Sequence, residues 1–177
     1  MKSIIKILLI AAIFFSCNSQ QKEIKKIVKE WQGKEIVVPG QIEYKVLGRD
    51  TICSDLWGNQ YKILTYIDSV GCSSCQMGLH FWQEIIETFE REQLDVSILF
   101  VIHSKNYPLL SRELIAADFN YPVIYDHNNL FDKLNQFPPA PYRTFLLDKN
   151  NKVILIGSPV DNRQIWDIYK ELILQRP

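Results

Sequence analysis

The stretch Tyr61-Lys62-Ile63-Leu64-Thr65-Tyr66-Ile67-Asp68, followed at once by Ser69-Val70-Gly71-Cys72-Ser73-Ser74-Cys75, decides the fold. Its first half is apolar enough for a buried central strand. Beyond Cys75, Leu79, Trp82, Ile85, Ile86 and Phe89 recur at intervals of three and four, with Gln83, Glu84, Glu87, Glu90 and Arg91 opposite. That spacing predicts an amphipathic helix whose apolar stripe is core. A C-x-x-C at a strand-to-helix junction reads as a dithiol/disulfide pair that exchanges electrons. Two intervening residues bring both sulfurs within bonding reach once the segment turns into helix. The unsatisfied N–H groups of a helix N-terminus favour thiolate at Cys72. Cys72 is then the nucleophile and Cys75 the resolving partner.

Two plainer readings stand beside this one. Half of a zinc site also begins with C-x-x-C, but a structural tetrahedron needs four ligands, and no second C-x-x-C or H-x-x-x-H occurs in the chain. A purely structural disulfide is the other, although closing so small a loop removes little unfolded-state entropy. No metal and no cofactor is expected.

The first residues bear on compartment. Met1-Lys2-Ser3 and Lys6 form a basic start, and Ile7 to Phe15 is an apolar core of signal-peptide length, short for a membrane span. Ser16-Cys17-Asn18-Ser19-Gln20-Gln21 places a small residue before a cysteine and a polar tether after it. It resembles a bacterial lipoprotein processing site, which would make Cys17 the lipidated first residue, although Phe14 and Phe15 stand where that pattern has Leu and a small residue. A conventionally cleaved signal followed by a free thiol is the alternative. The expected organisation is a signal peptide over 1–16, a lipid tether with a short amphipathic helix over 17–33, and one domain over 34–177. The expected location is the bacterial cell envelope, facing the periplasm from the inner or outer membrane, with the cell surface left open.

Lys and Arg number 20 and so do Asp and Glu. Losing Lys2 and Lys6 with the signal leaves a slight acidic excess, and nothing in the balance points to nucleic acid. With Cys17 and the C-x-x-C set aside, Cys53 is the remaining cysteine, so no disulfide framework is expected. Cys53 reads as a small buried hydrophobe in a strand.

Around the deciding stretch, Ile24, Ile27, Val28 and Trp31 fall at helical spacing within Gln21–Trp31. Lys34–Gly40 and Ile42–Leu47 read as two short strands joined by a Pro-Gly turn. Val96–Ile102 predicts a second buried strand, Leu109–Phe119 a helix, Tyr121–Tyr125 a short strand and Leu130–Phe137 a brief helix. Thr144–Asp148 and Lys152–Gly157 flank a Lys-Asn-Asn turn as a hairpin. Asp161–Leu174 closes as a helix with Ile165, Ile168, Tyr169 and Leu172 inward.

The order strand, C-x-x-C, helix, strand, helix, strand hairpin, helix resembles the thioredoxin fold with an inserted strand and helix before the hairpin. It is similar to the membrane-anchored thiol-disulfide oxidoreductases of the TlpA type and to the related AhpC/TSA superfamily. The likeness covers roughly residues 55 to 175 and rests on Cys72-Ser73-Ser74-Cys75 and on Thr144-Phe145-Leu146-Leu147-Asp148 with Lys152-Val153. It implies an α/β fold, a central mixed sheet flanked by helices with an N-terminal strand extension. It also implies a substrate groove beside Cys72, formed from Gly71, Ser73 and the Pro141-Tyr142 loop. Relatives place a cis-proline two residues before the strand's threonine, whereas this chain has Tyr142 there and Pro141 one residue earlier. Either the loop has shifted so that Pro141 substitutes, or the clamp on substrate is altered. The family's tryptophan before the first cysteine is Gly71, and the acid or polar residue six before it is Tyr66. Asp68 and His80 are left as the nearest groups to move the proton of Cys75.

The implied activity is thiol–disulfide exchange, with disulfide-containing exported proteins as substrates and an upstream membrane protein as electron donor. Three other readings belong to the same superfamily. A peroxidase would need a P-x-x-x-T/S-x-x-C site, for which the chain offers Ser69 but has Thr65 in place of the proline. A copper chaperone would use Cys72 and Cys75 with a late histidine, and no histidine follows His127. A redox-inactive binding lipoprotein could retain the fold alone.

Overall fold

The computed structural model describes residues 21–53, 56–68, 77–160 and 162–174. Two near-continuous apolar runs, Tyr61–Asp68 (β3) and Val96–His103 (β4), form its centre. Runs of this kind belong to strands covered on both faces. They pair in parallel over their whole length, from Tyr61 opposite Val96 to Asp68 opposite His103. Val123–Tyr125 (β5) continues the parallel set beyond β4, and Thr144–Leu147 (β6) runs antiparallel to β3 on the other side. Val153–Ile156 (β7) turns back antiparallel to β6. A hairpin of Tyr44–Val46 (β1) and Arg49–Thr51 (β2) extends the β5 edge, giving the order β2-β1-β5-β4-β3-β6-β7.

Helices cover both faces of this mixed seven-stranded sheet, as expected. On one face lie Leu79–Arg91 (α2), Tyr107–Ala116 (α3) and Arg163–Leu174 (α5), which close over Ile63, Ile98 and Phe100. All five stripe residues of α2 are buried, and Trp82 meets Phe100 edge-on at 5.2 Å. On the other face, the helix of residues 21–31 (α1) and Leu130–Asn135 (α4) cover Leu64, Tyr66, Leu99 and Phe145. Trp31 is the anchor of α1, stacking on Phe145 at 5.0 Å and Phe137 at 5.8 Å. Ile27 and Trp31, N-terminal to position 34, are thereby part of the packed unit.

Several local expectations are corrected. Lys34–Gly40 is not a strand: Glu35 makes a single antiparallel bridge to Lys152, and Asn135 then takes both backbone groups of Val37 at 2.8 and 2.9 Å. A buried amide that satisfies a donor and an acceptor together substitutes for a partner strand. The hairpin instead forms around Leu47-Gly48, both at positive φ (50° and 76°), the two-residue turn that matches strand twist. Cys53 lies half-buried in the loop after β2, not in a strand, and its thiol is free. In α5, Ile168 is exposed and Ile173 buried, because the inward stripe centres on Tyr169, whose hydroxyl donates to the Gly157 carbonyl at 2.9 Å.

The amphipathic helix expected beyond Cys75 begins, among the described residues, only after a left-handed glycine. Gly78, at φ 61°, stands between Met77 and the start of α2 at Leu79. A Cβ at Gly78 would lie 2.9 Å from Val160 Cγ1, so the position needs glycine for space as well as for backbone sign.

Candidate functional site

Because β3 and β4 are parallel, their C-terminal ends, Asp68 and His103, emerge side by side. Ligand sites of open α/β sheets form beyond such ends. The antiparallel register of β6, with Thr144 opposite Thr65, brings the loop that precedes it to the same place. The two threonine hydroxyls are buried and hydrogen-bonded at 3.1 Å, and the Tyr66 amide donates to the Arg143 carbonyl at 2.9 Å.

Arg143 organises this end. Its Nε donates to the Pro138 carbonyl at 2.7 Å, its Nη1 donates to Asp68 Oδ2, and its guanidinium lies 5.5 Å from the Tyr66 ring centre. Tyr66 is buried, packs on Phe137 at 4.8 Å and donates its hydroxyl to Asn129 Oδ1. Burial pushes the Tyr66 hydroxyl well above its ordinary value, so it is a neutral hydrogen-bond donor at physiological pH and not a base. Arg143 was not singled out in the sequence, where a lone arginine after a proline cluster gives no sign of a partner.

The loop itself is a short 3-10 turn, Ala140–Tyr142, closed by the Tyr142 amide on the Pro139 carbonyl at 2.9 Å. Among the described residues no peptide bond is cis. Pro141 is therefore no stand-in for the family's cis-proline, and the backbone geometry at this point departs from that pattern. Pro141 is exposed, while Tyr142 is half-buried against the α1/α4 face.

His80 sits on the solvent side of α2, 79% exposed, with Nε2 3.3 Å from Glu84 Oε1 and its ring beside Phe81. His103 is held by the Asp126 carbonyl at 2.8 Å, and His127 by Glu43 at 3.2 Å. Glu43 in turn is kept below the usual carboxylate range by the hydrogen bond from Lys45. Among the described residues no three His, Cys, Asp or Glu side chains converge as a metal site, and no helix is long and apolar enough to cross a membrane. Cys72, Cys75, Gly71, Ser73, Ser69 and Cys17 lie outside the described residues.

No family model and no curated protein matches the sequence. Solved structures do match. A candidate thiol:disulfide interchange protein DsbE from Chlorobium tepidum superposes with a TM-score of 0.61 at 16% identity, covering 80% of this chain and 97% of that one. The thioredoxin domain of a thiol-disulfide oxidoreductase from Bacteroides vulgatus gives 0.61 at 11% identity, with 80% and 97% covered. StoA from Bacillus subtilis gives 0.50 at 16% identity, with 73% and 99% covered. The fold is thioredoxin-like. At such identities the likeness is one of architecture, and the chemistry rests on this chain's own residues.

Proposed function

We propose that the protein is a thiol–disulfide oxidoreductase of the bacterial cell envelope, anchored through Cys17, that reduces disulfides in exported proteins. One observation carries the reading: β3 ends at Asp68 and Cys72 follows four residues later. Chain length alone keeps Cys72 within about 14 Å of that strand end. The names of the solved neighbours, thiol:disulfide interchange protein and thiol-disulfide oxidoreductase, agree with it.

In the exchange, the Cys72 thiolate attacks one sulfur of a substrate disulfide, and one substrate thiolate leaves as the mixed S–S bond forms. Cys75 loses its proton and attacks the Cys72 sulfur. The second substrate thiolate leaves, the Cys72–Cys75 disulfide forms, and two electrons have passed to the substrate. Asp68 and His80 are the candidate acceptors for the Cys75 proton. A membrane dithiol donor returns the two electrons. Gly71, Ser73, Pro141 and Tyr142 would border the substrate.

The test is equilibration of the protein in glutathione or dithiothreitol buffers with mass-shift alkylation at each cysteine. A reversible two-electron Cys72–Cys75 couple near the reductase range, about −270 mV, is expected. Cys72→Ala should abolish disulfide reduction. Unchanged turnover in that variant, or no reversible couple, overturns the reading. Peroxide turnover would favour a peroxidase instead, and stoichiometric copper that blocks alkylation would favour a metal carrier.

A further inference from the structure

The helix α1 carries a charge pattern that the exchange chemistry does not use. Lys22, Lys25, Lys26 and Lys29 stand at i, i+3, i+4 and i+7. Successive residues of a helix advance by about 100°, so the four share one stripe about 100° wide and about 10 Å long. The stripe is centred opposite Trp31, whose ring stacks on Phe137 and Phe145, and Ile27 is buried on the same inward side as Trp31. All four lysines are exposed, and none makes an ion pair with a described residue. Glu23 and Glu30 fall together on one flank of the helix. The whole chain balances 20 basic against 20 acidic residues, so the concentration of cations on this face is local patterning and not a basic composition.

We infer that the lysine stripe of α1 docks on the anionic phospholipid headgroups of the bilayer that holds the anchor. This rests on the acylation of Cys17 proposed above. Four residues of chain separate Cys17 from Gln21, the first described residue of α1, and they span at most about 14 Å. So short a tether keeps the stripe at a high effective concentration of headgroups. Lysine ammoniums are hydrated point charges without the planar fork that selects a shaped carboxylate or phosphate partner. A row of them along the outer side of a helix matches a plane of negative charge. Docking also sets orientation. The inward side of α1 covers the sheet face of Leu64, Tyr66, Leu99 and Phe145, so that face turns toward the bilayer, while α2, α3 and α5 lie on the side away from it.

The experiment reconstitutes the processed, full-chain lipoprotein into vesicles of phosphatidylcholine alone or of equal parts phosphatidylcholine and phosphatidylglycerol. Sparse acetylation of lysines is then quantified peptide by peptide, with the exposed Lys105 and Lys149 as internal references. In the anionic vesicles Lys22, Lys25, Lys26 and Lys29 should react about fivefold more slowly, relative to the references, than in phosphatidylcholine. High salt should remove that protection. Lys25→Glu with Lys29→Glu should release Lys22 and Lys26 in the anionic vesicles, whereas Lys25→Arg with Lys29→Arg should leave them protected. Equal reactivity in the two vesicle types, with the lipid mass present on the Cys17 peptide, overturns the inference and leaves the anchoring and exchange readings intact. Protection of the same size without phosphatidylglycerol also overturns it, because the face would then be covered by another part of the chain or by a second copy. A Cys17 peptide without lipid overturns both the anchoring and the docking.

Discussion

Arg143 donates to Asp68 across 75 residues of chain and thereby ties the entrance of β6 to the exit of β3. Both side chains are partly exposed, so the pair is worth far less than its Coulomb energy in a dry interior would imply. A double-mutant cycle with Asp68→Asn and Arg143→Gln, read by urea unfolding, should give a coupling of about 0.5–1 kcal/mol that shrinks in high salt. A coupling indistinguishable from zero at low salt would mean that the contact carries no stability.

Gly78→Ala tests the break before α2. In a continuous helix this substitution would stabilise by up to about 1 kcal/mol, because alanine is the better helix former. Here the residue sits at φ 61° with Val160 Cγ1 only 2.9 Å from where a Cβ would be, and L-residues resist that backbone region. The expected result is a loss of about 1–2 kcal/mol. The sign of the change in urea midpoint is sufficient to decide between the two.

How much of this was legible in the sequence depends on the range of the interaction. The long apolar runs of β3 and β4, the stripe of α2 and the β6–β7 hairpin carry their period within a few residues, and all are present. The β1–β2 hairpin is three residues a side with a Leu-Gly turn, too little pattern to separate from the preceding segment. Asn135 satisfying Val37 spans 98 residues, and Arg143 reaching Asp68 spans 75; no local periodicity announces either. Lys62 is similarly hidden. In a run read as apolar it is fully buried, with its ammonium on the carbonyls of Trp57, Asn59 and Lys149 at 3.1 to 3.4 Å.

Trp31→Ala probes whether α1 belongs to the domain. The ring is 2% exposed, stacks on two phenylalanines and carries the Lys34 ammonium 3.7 Å above it. Removing a buried tryptophan costs about 3–5 kcal/mol. We expect a loss of that size by urea unfolding, together with faster hydrogen exchange in β6 and β7. A loss under about 1 kcal/mol would make α1 a loosely attached tether.

Alkaline pH should unfold the protein through its tyrosines. Burial pushes the hydroxyls of Tyr44, Tyr66, Tyr107, Tyr121, Tyr125 and Tyr169 above their ordinary value. In the unfolded chain they ionise near pH ~10. A group whose folded value is raised contributes stability that is complete below its unfolded value, and that contribution is lost as pH climbs through the folded one. Above about pH 10 the folded state therefore binds more protons than the unfolded state, and stability falls. Lys62 acts in the opposite sense. Burial lowers its folded value, so just below its unfolded value of about 10.4 it makes stability rise with pH. One lysine against several tyrosines leaves the net decline. Urea midpoints should hold steady or rise slightly up to about pH 9 and then drop with increasing slope. Tyr169→Phe should give a shallower alkaline drop, at the cost of the hydrogen bond to the Gly157 carbonyl at neutral pH. The phenolate absorbance of the folded protein supplies an independent check. Its growth should lag that of the urea-unfolded chain, and coincident titrations in the two states would remove the basis for the prediction.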